Sequence, residues 1–424
     1  MGRVANVFFP LDRELDLGTE GYSPRLLAKI EYAGGNAASF AQASASLEVL
    51  AELSIGAKHV QRLTERLGEE RRERRDQEVE AFKAGGLRPD HAQPPRVVAV
   101  HVDAGKVQER ADDGKVGVRA PHWADDKVAC LVSYTSVEHA QDPQPRPPDA
   151  FYDPAHVARL CQEMERVRSQ PCPPPPVALG PQAAAPPGRA RDRAVAPQPL
   201  VRTAVATMAK TEDFGWMVAA EAQRRGFYEA SRRAFVGDGG NWIAPLGDLH
   251  FPGFTQVLDF LHALVHLYAA ALAAHAGAPQ AAWELYSRML EAAWAGRIGD
   301  LLLALTEQQQ RHGPPPESAG EGDPRRKLAL TIEYVRNNAT RMDYPRYRRE
   351  GLPISSAPVE SLVKQFNQRV KGTDKFWVGP GVEAVLQVRA AYLSQDDRAL
   401  RIHSGRGRTA RAVGTRRLGK GKAA

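Results

Sequence analysis

Apolar side chains recur at helical spacing through the N-terminal part of the chain. Leucine, isoleucine and valine fall three or four positions apart, which predicts helices over residues 23–31, 39–53 and 57–67. The first begins with Ser-Pro, a pair typical of a helix N-terminus. Residues 54–56 include a glycine and predict a short break between the second and third helices. The charge-dense run over residues 69–82 predicts a solvated connecting helix.

The second and third of these helices, joined by a turn that contains glycine, resemble a helix-turn-helix. The helix after the turn would expose Lys58, His59, Gln61 and Arg62, residue types that contact phosphates and base edges. Any pair of packed antiparallel helices has the same outline, and this segment alone favours that plainer interpretation. DNA binding through Lys58 and Arg62 remains the alternative.

Past these helices the periodicity changes from helical to extended. The β-branched run over residues 97–102 and the apolar run over residues 127–134 predict two strands. Residues 106–118 between them are polar and contain glycine, as a hairpin requires. A third, short strand is predicted at residues 234–236, directly before a glycine-rich turn. These strands predict a sheet within an otherwise helical protein.

The rest of the chain is predicted to be mostly helical, apart from one low-complexity segment. Residues 169–199 are rich in proline and alanine and predict a polyproline-type or disordered loop without a core of its own. The predicted helical segments are residues 216–225, most of 257–340, 359–372 and 381–393.

Charge is concentrated at the C-terminal end of the chain. The 424 residues carry a formal net charge of +7, and 43% of them are hydrophobic, as in soluble globular proteins. Residues 396–424 hold nine basic and two acidic side chains, which equals the whole net charge. The basic character therefore belongs to a predicted disordered tail. Such a tail suits either sequence-independent phosphate binding or simple solubility.

The cysteines and the apolar runs indicate the cellular compartment in which the protein is expected. Three cysteines without a CxxC pair cannot form a disulfide framework, which favours a reducing compartment. No cationic stretch followed by an apolar run begins the chain, so no secretory signal is predicted. The most apolar helix, at residues 258–274, is interrupted by aspartate and histidine, which argues against a membrane span. A cytoplasmic location is expected.

Three acidic residues stand where carboxylates can converge. Asp103 ends the first predicted strand, Asp238 follows the third in its glycine-rich turn, and Glu360 lies in the first turns of a helix. Carboxylates so placed bind hard divalent cations, and two such cations support phosphoryl displacement. Taken singly, each residue is better explained as a turn former or as an acid favoured near a helix N-terminus. The combination favours a metal site.

Two polar stripes accompany these acids. Glu360, Lys364, Asn367 and Lys371 share one face of their predicted helix, which suits a metal ligand beside a phosphate backbone. Asp259, His262 and His266 share a narrow stripe on the helix after Asp238. That second stripe favours structural histidines over a metal site, because it offers only three ligands and no cysteine.

Two blocks of sequence resemble bacterial insertion-sequence transposases of the ISKra type, which are DDE transposases. They are FVGDGGNWIAPLGDLHFPGFTQVLDFLHALVHL at residues 235–267 and GLPISSAPVESLVKQFNQRVKGTDKFW at residues 351–377. The resemblance extends to VVAVHVDAGKV, around Asp103, and to FPLDREL near the N-terminus. It covers most of residues 8–395. The Gly-Asp-Gly-x-x-Trp-Ile and Pro-Ile-x-Ser-x-x-Val-Glu-Ser blocks are specific in combination.

The resemblance implies a fold, an activity and a set of site residues. The fold is α/β: an RNase H-like mixed-sheet core with an all-helical insertion, preceded by a small helical domain. Asp103, Asp238 and Glu360 match the catalytic acids, which would hold two Mg²⁺ or Mn²⁺ ions. Trp242, Asp259 and His262 match residues that support the active site. Lys364, Asn367 and Lys371 are the expected DNA contacts beside it.

The same resemblance implies how the chain is divided. The predicted divisions are a helical domain with its connector at residues 1–83, a first part of the catalytic core at 96–262 with the Pro-rich loop at 169–199, a helical insertion at 263–350, the end of the core at 351–395 and the basic disordered tail at 396–424.

The expected activity is metal-dependent cleavage at transposon ends, followed by strand transfer into target DNA. The expected partners are inverted-repeat and target duplexes, bound by a homodimer or higher oligomer on bacterial DNA. One alternative is an inactive remnant that only binds inverted repeats, favoured by the lack of a CxxC motif and by the Pro-rich segment. A second is an RNase H-like nuclease, which shares the triad and lacks the joining step.

Overall fold

A computed structural model describes residues 22–91, 93–110, 122–165, 196–372 and 375–403. The FPLDREL block, residues 166–195 of the Pro-rich segment and residues 404–424 of the basic tail lie outside these ranges. The fold is mixed α/β, as the sequence predicts at that level.

Five strands form one mixed sheet at the centre of the described residues. In chain order they are β1 Val97–Glu109, β2 His122–Thr135, β3 Gln198–Thr207, β4 Arg232–Gly237 and β5 Thr255–Leu258. Their order across the sheet is β3-β2-β1-β4-β5. The β1–β2 and β2–β3 pairs are antiparallel, whereas β4 runs parallel to both β1 and β5. Strand β1 therefore lies where the sheet changes from antiparallel to parallel pairing.

The strands correct several predictions. β1 does not end at Asp103: it continues to Glu109, because β2 pairs with it over its whole length. β3 begins inside the segment predicted as a Pro-rich loop, since Pro199 can occupy a strand that has one neighbour only. β5, at Thr255–Leu258, overlaps the start of the segment predicted to be helical from residue 257. Short apolar runs fit both periods, and only pairing with β4 decides between them.

The α-helices surround this sheet. In chain order the described residues form α1 Pro24–Asn36, α2 Phe40–Ala51, α3 Ala57–Lys83, α4 Pro154–Glu165, α5 Thr211–Arg224, α6 Ile243–His250, α7 Phe260–Ala274, α8 Pro279–Trp294, α9 Ile298–His312, α10 Pro324–Asn338, α11 Tyr344–Arg349, α12 Ala357–Val370 and α13 Gly379–Leu393. None of them is both long and apolar enough to cross a membrane.

The N-terminal helices differ from the prediction in two ways. The first helix was predicted to end at residue 31 but runs to Asn36, so Gly34 and Gly35 lie inside α1. A Cβ atom at Gly34 would meet the Thr64 hydroxyl, and one at Gly35 would meet Val388, so both glycines permit close helix packing. Residues 57–67 and 69–82 form one continuous helix, α3, of 27 residues.

Two apolar layers cover the two faces of the sheet. On one face, side chains such as Ala99 and Val132 pack with the helices α7 to α13. On the other face, Val100 and Leu131 pack with α5 and α6. This alternation follows from the two-residue repeat of a strand, and it places α12 directly over β1 and β2.

The disordered tail was predicted to begin at residue 396. This boundary is wrong, because residues 396–403 are part of the described structure. Arg398 donates to Glu221 at 2.6 Å, and His403 Nε2 lies 2.7 Å from Glu31 Oε2. Both glutamates are buried, with 6% and 0% of their surface exposed. A buried carboxylate needs polar partners, and this C-terminal segment supplies the Arg398 guanidinium to Glu221 and the His403 ring to Glu31.

Arg398→Ala should lower the free energy of unfolding by about 3 kcal/mol, because it leaves Glu221 with fewer cationic partners. Burial alone would raise the pKa of Glu221, but the charges of Arg398 and Arg224 lower it to about 2. The stability from this group is therefore present above the ordinary pKa of 4.5 and lost as the pH falls toward 2. Urea titration at pH 7 measures the effect. Arg401→Ala is the control, since its side chain is 56% exposed, and equal losses in both variants would contradict the prediction.

Candidate active site

The three predicted catalytic acids line one cleft of about 220 Å³. Asp103 comes from β1, Asp238 from the turn after β4, and Glu360 from the first turn of α12. His262 and Trp242, two of the three residues predicted to support the site, line the same cleft. The fold thus brings together side chains that lie up to 257 positions apart in the chain.

Strand register explains why Asp103 and Asp238 meet. The parallel β1–β4 ladder ends at the pair His101–Val236, so Asp103 and Asp238 are level with each other two residues further on. Neighbouring strands lie about 4.8 Å apart, which sets the separation of the two backbones. Asp103 is inside β1 but at the end of its pairing with β4. It therefore occupies the carboxyl edge of the parallel pair, where open α/β sheets bind ligands.

The glycine-rich turn after β4 serves the protein's own packing. Gly239 has a φ of 86°, a conformation that favours glycine, and a Cβ there would lie 2.8 Å from Leu258 and 2.9 Å from Tyr334. Side chains therefore fill the space beside the Gly239 backbone, and no room is left there for a ligand. The turn also holds Asp238, whose Oδ1 accepts from Gly240 N at 2.8 Å and whose carbonyl accepts from the Tyr334 hydroxyl at 2.9 Å.

Asp259 is a buried hub that fixes the other half of the site. It is not on the predicted helical stripe: it precedes α7 as its N-cap. Its Oδ1 accepts from Leu261 N and from Ser356 N, both at 3.1 Å. Its Oδ2 lies 2.5 Å from His262 Nδ1 and 2.7 Å from the Ser356 hydroxyl. Asp259 thus links the start of α7 to the start of α12.

Ser356 connects Asp259 to Glu360 through its hydroxyl group. The Ser356 hydroxyl lies 2.7 Å from Asp259 Oδ2 and 3.0 Å from Glu360 Oε1. It has one proton, so it can donate to only one of the two carboxylates at a time. Burial raises the pKa of Glu360, and the neighbouring Asp259 charge raises it further. The hydrogen bond with Ser356 therefore helps to orient the third acid.

His262 is a cation at neutral pH. Burial alone would lower its pKa, but the hydrogen bond and the charge of Asp259 raise it to about 9. Asp238 and Asp103 add to this effect. Burial alone would raise the pKa of Asp259, but the hydrogen bond and the charge of His262, together with the hydrogen bonds from Ser356, lower it. The cleft consequently contains one fixed imidazolium among its carboxylates.

The cleft still has an excess of negative charge. Burial raises the pKa of Asp103 to about 7, with a further contribution from Asp238 and a smaller one from Glu360. Three carboxylates that line one cleft form an oxygen-rich site, which fits a hard divalent cation. The ligands that such an ion would use are Asp103, Asp238 and Glu360.

A second grouping of metal-binding atoms fits a cation less well. Ligand atoms of Asp259, His262 and Glu360 all lie within 4.8 Å of one another. Asp259, however, is 0% exposed, and hydrogen-bond donors already occupy both its oxygens. His266 stacks on Tyr334 at 4.0 Å between ring centroids. We therefore assign Asp259 and His266 structural roles, which the sequence had favoured for this stripe.

The predicted DNA contacts separate into two groups. Lys364 lines the cleft, where its ammonium donates to Glu163 at 3.1 Å. Asn367 and Lys371 follow it along α12, outside the cleft lining. Lys58 and Arg62 are exposed near the start of α3 and do not line the cleft.

Sequence reasoning missed several residues of the site. Lys106 and Asp125 line the cleft but fell in or near the predicted hairpin loop, and Glu163 lies on α4, which was not predicted. Ser356 was seen only as part of a helix start. Its position four residues before Glu360 could have indicated a contact, because such residues share a helix face.

No protein-family model matches the chain, and no curated protein matches it significantly.

Asp103→Asn should stabilise the metal-free protein above pH 7. The pKa of Asp103 rises from 3.8 to about 7 on folding, so stability is present below pH 4 and lost as the pH rises through 7. Removing the charge should raise the thermal midpoint in EDTA at pH 8 by about 2 °C or more. The rise should be smaller at pH 5. Calorimetry measures it, with the exposed Asp300→Asn as the control, and an equal change at both pH values would contradict the assignment.

Asp259→Asn should lower the pKa of His262 from about 9 toward its ordinary 6.5, since it removes the carboxylate that stabilises the imidazolium. Titration of ¹³C-labelled histidine rings by NMR in EDTA measures the shift, and His262→Gln identifies the resonance. An unchanged pKa would show that Asp259 does not hold the proton on His262.

Proposed function

We propose that the protein is a DDE transposase of the ISKra type, which cleaves DNA at transposon ends and joins them to target DNA. One observation carries the proposal: Asp103, Asp238 and Glu360, matched to the family's acids by sequence, line a single cleft. Residues without a shared role have no reason to converge from β1, β4 and α12.

Two Mg²⁺ or Mn²⁺ ions, held by Asp103, Asp238 and Glu360, would supply an activated attacking oxygen and stabilisation of the leaving oxygen. The residues of the chain prepare the cleft for this chemistry. Asp259 holds His262 protonated, so that the imidazolium can donate to a phosphate oxygen of bound DNA. Lys364 and Lys106 provide further cations at the rim of the cleft.

The fold supports the RNase H-like part of the proposal. One mixed sheet in the order β3-β2-β1-β4-β5, with Asp103 in its central strand and Asp238 directly after the neighbouring β4, agrees with the mixed-sheet core that the resemblance implies. The helices α7 to α11 lie between the second and third acids in the chain and correspond to the helical insertion of the family.

The remaining parts of the proposal come from the resemblance. The helices α1 to α3 would recognise the inverted repeat through exposed side chains such as Lys58 and Arg62. A homodimer or higher oligomer would hold two transposon ends together in the bacterial cytoplasm. The basic tail would add sequence-independent phosphate binding.

Asp238→Asn and Glu360→Gln should each reduce Mg²⁺-dependent cleavage of the element's own inverted-repeat DNA by at least about 100-fold, because each removes a metal ligand. Binding of the same DNA in EDTA should persist. A gel assay for new 3′ ends and strand transfer measures both steps. Asp300→Asn, an exposed acid on α9, is the matched control.

Undiminished cleavage by Asp238→Asn would refute the proposed site. Binding without cleavage by the unaltered protein would favour a remnant that only binds DNA. Cleavage of branched or hybrid substrates without any joining would favour a nuclease.

A further inference from the structure

Trp123 is the one exposed tryptophan of the chain. All six tryptophans lie in the described residues, and the other five are buried or half-buried. Trp123 on β2 has 42% of its surface exposed. An indole of this kind carries a large apolar surface that the fold itself does not use.

A lysine from α12 lies over the Trp123 ring. The Lys371 ammonium is 5.9 Å from the ring centroid, within the range of a cation–π contact. Lys371 is the C-cap of α12, the helix whose first turn carries Glu360. From Glu360 to Lys371 the helix rises about 16 Å. The lysine thus marks the end of a track that begins at the third acid and passes Lys364 and Asn367.

Strand geometry gives an independent connection between Trp123 and the cleft. Asp125 lines the cleft and lies two residues further along β2. Residues two apart in a strand point to the same face, about 7 Å from each other. Trp123 therefore shares a face of β2 with Asp125, a residue of the cleft lining.

A second exposed aromatic side chain lies beside this position. Phe376 is 41% exposed, and its neighbour Trp377 donates its backbone N–H to Gln108 O at 3.1 Å. Gln108 is the β1 partner of Trp123. We define Trp123, Phe376 and Lys371 as the aromatic platform.

Cationic residues adjoin the platform. Lys375 precedes Phe376, and the Arg110 N–H donates to Trp377 O at 2.8 Å. Described acids on the adjoining strands are Glu109, Asp125 and the buried Asp126, which interacts electrostatically with Lys371. Aromatic faces combined with lysine and arginine are how proteins hold single-stranded nucleic acid, because every base has a face that can stack.

We infer that the aromatic platform stacks on an unpaired base of a DNA strand that leaves the cleft along α12. This inference rests on the proposed function, since it takes the cleft as the place where DNA is cut. At the 3.4 Å rise of a stacked strand, about 16 Å corresponds to roughly five nucleotides. The ligand is thus a duplex end with a single-stranded tail of about five nucleotides.

The test compares binding of a blunt duplex with binding of the same duplex carrying a five-nucleotide tail. Both are measured in EDTA by fluorescence anisotropy of a label on the blunt end. The unaltered protein should prefer the tailed DNA, and Trp123→Ala should bind it about tenfold more weakly, the loss of one stacked base. Binding of the blunt duplex should not change.

Two further variants separate stacking from unspecific damage. Trp123→Phe keeps an aromatic face and should retain most of the preference for the tail. Leu303→Ala removes an apolar side chain that is 61% exposed on α9 and should behave as the unaltered protein. Equal binding of both DNAs by the unaltered protein would overturn the inference. So would an equal loss for blunt and tailed DNA in Trp123→Ala.

The result is independent of cleavage, because no metal is present. Asp238→Asn should keep the preference for the tail while losing Mg²⁺-dependent cleavage. Tail preference without any cleavage by the unaltered protein would leave the platform standing and refute the proposed enzyme. Cleavage without tail preference would refute the platform alone.

Discussion

The carboxylate of Asp259 is the interaction on which the candidate site depends. It is buried, and its oxygens accept hydrogen bonds from the start of α7, from His262 and from Ser356. A buried carboxylate without these donors would cost several kcal/mol, so the two helix ends are tied to each other. Glu360 stands one turn beyond Ser356. Its contact with the Ser356 hydroxyl ties it to the same network.

The charged residues at the cleft form two groups with different surroundings. Asp259 and His262 neutralise each other and set a geometry, whereas the charges of Asp238 and Glu360 raise the pKa of Asp103. Like charges in one cleft oppose its full ionisation. The arrangement thus combines a paired support with a group of carboxylate oxygens.

A second network of polar contacts joins the N-terminal helices to α5. Glu31 of α1 contacts Arg71 of α3 and His403, while Glu221 of α5 contacts Arg224 and Arg398. Residues 398–403 are therefore part of the fold and connect the two buried glutamates.

The sequence by itself determined the helices of the N-terminal part and the cores of β1, β2 and β4. It also singled out Asp103, Asp238 and Glu360 among the acids that line the cleft. Those features depend on local periodicity or on short motifs. Tertiary structure decided the rest. β5 and the end of β1 exist only through pairing with a neighbouring strand, and the saturation of Asp259 depends on Ser356, 97 positions away. The partners of residues 396–403 are equally remote. Hydrogen bonds and ion pairs between distant residues leave no period in the sequence, so only the folded chain shows them.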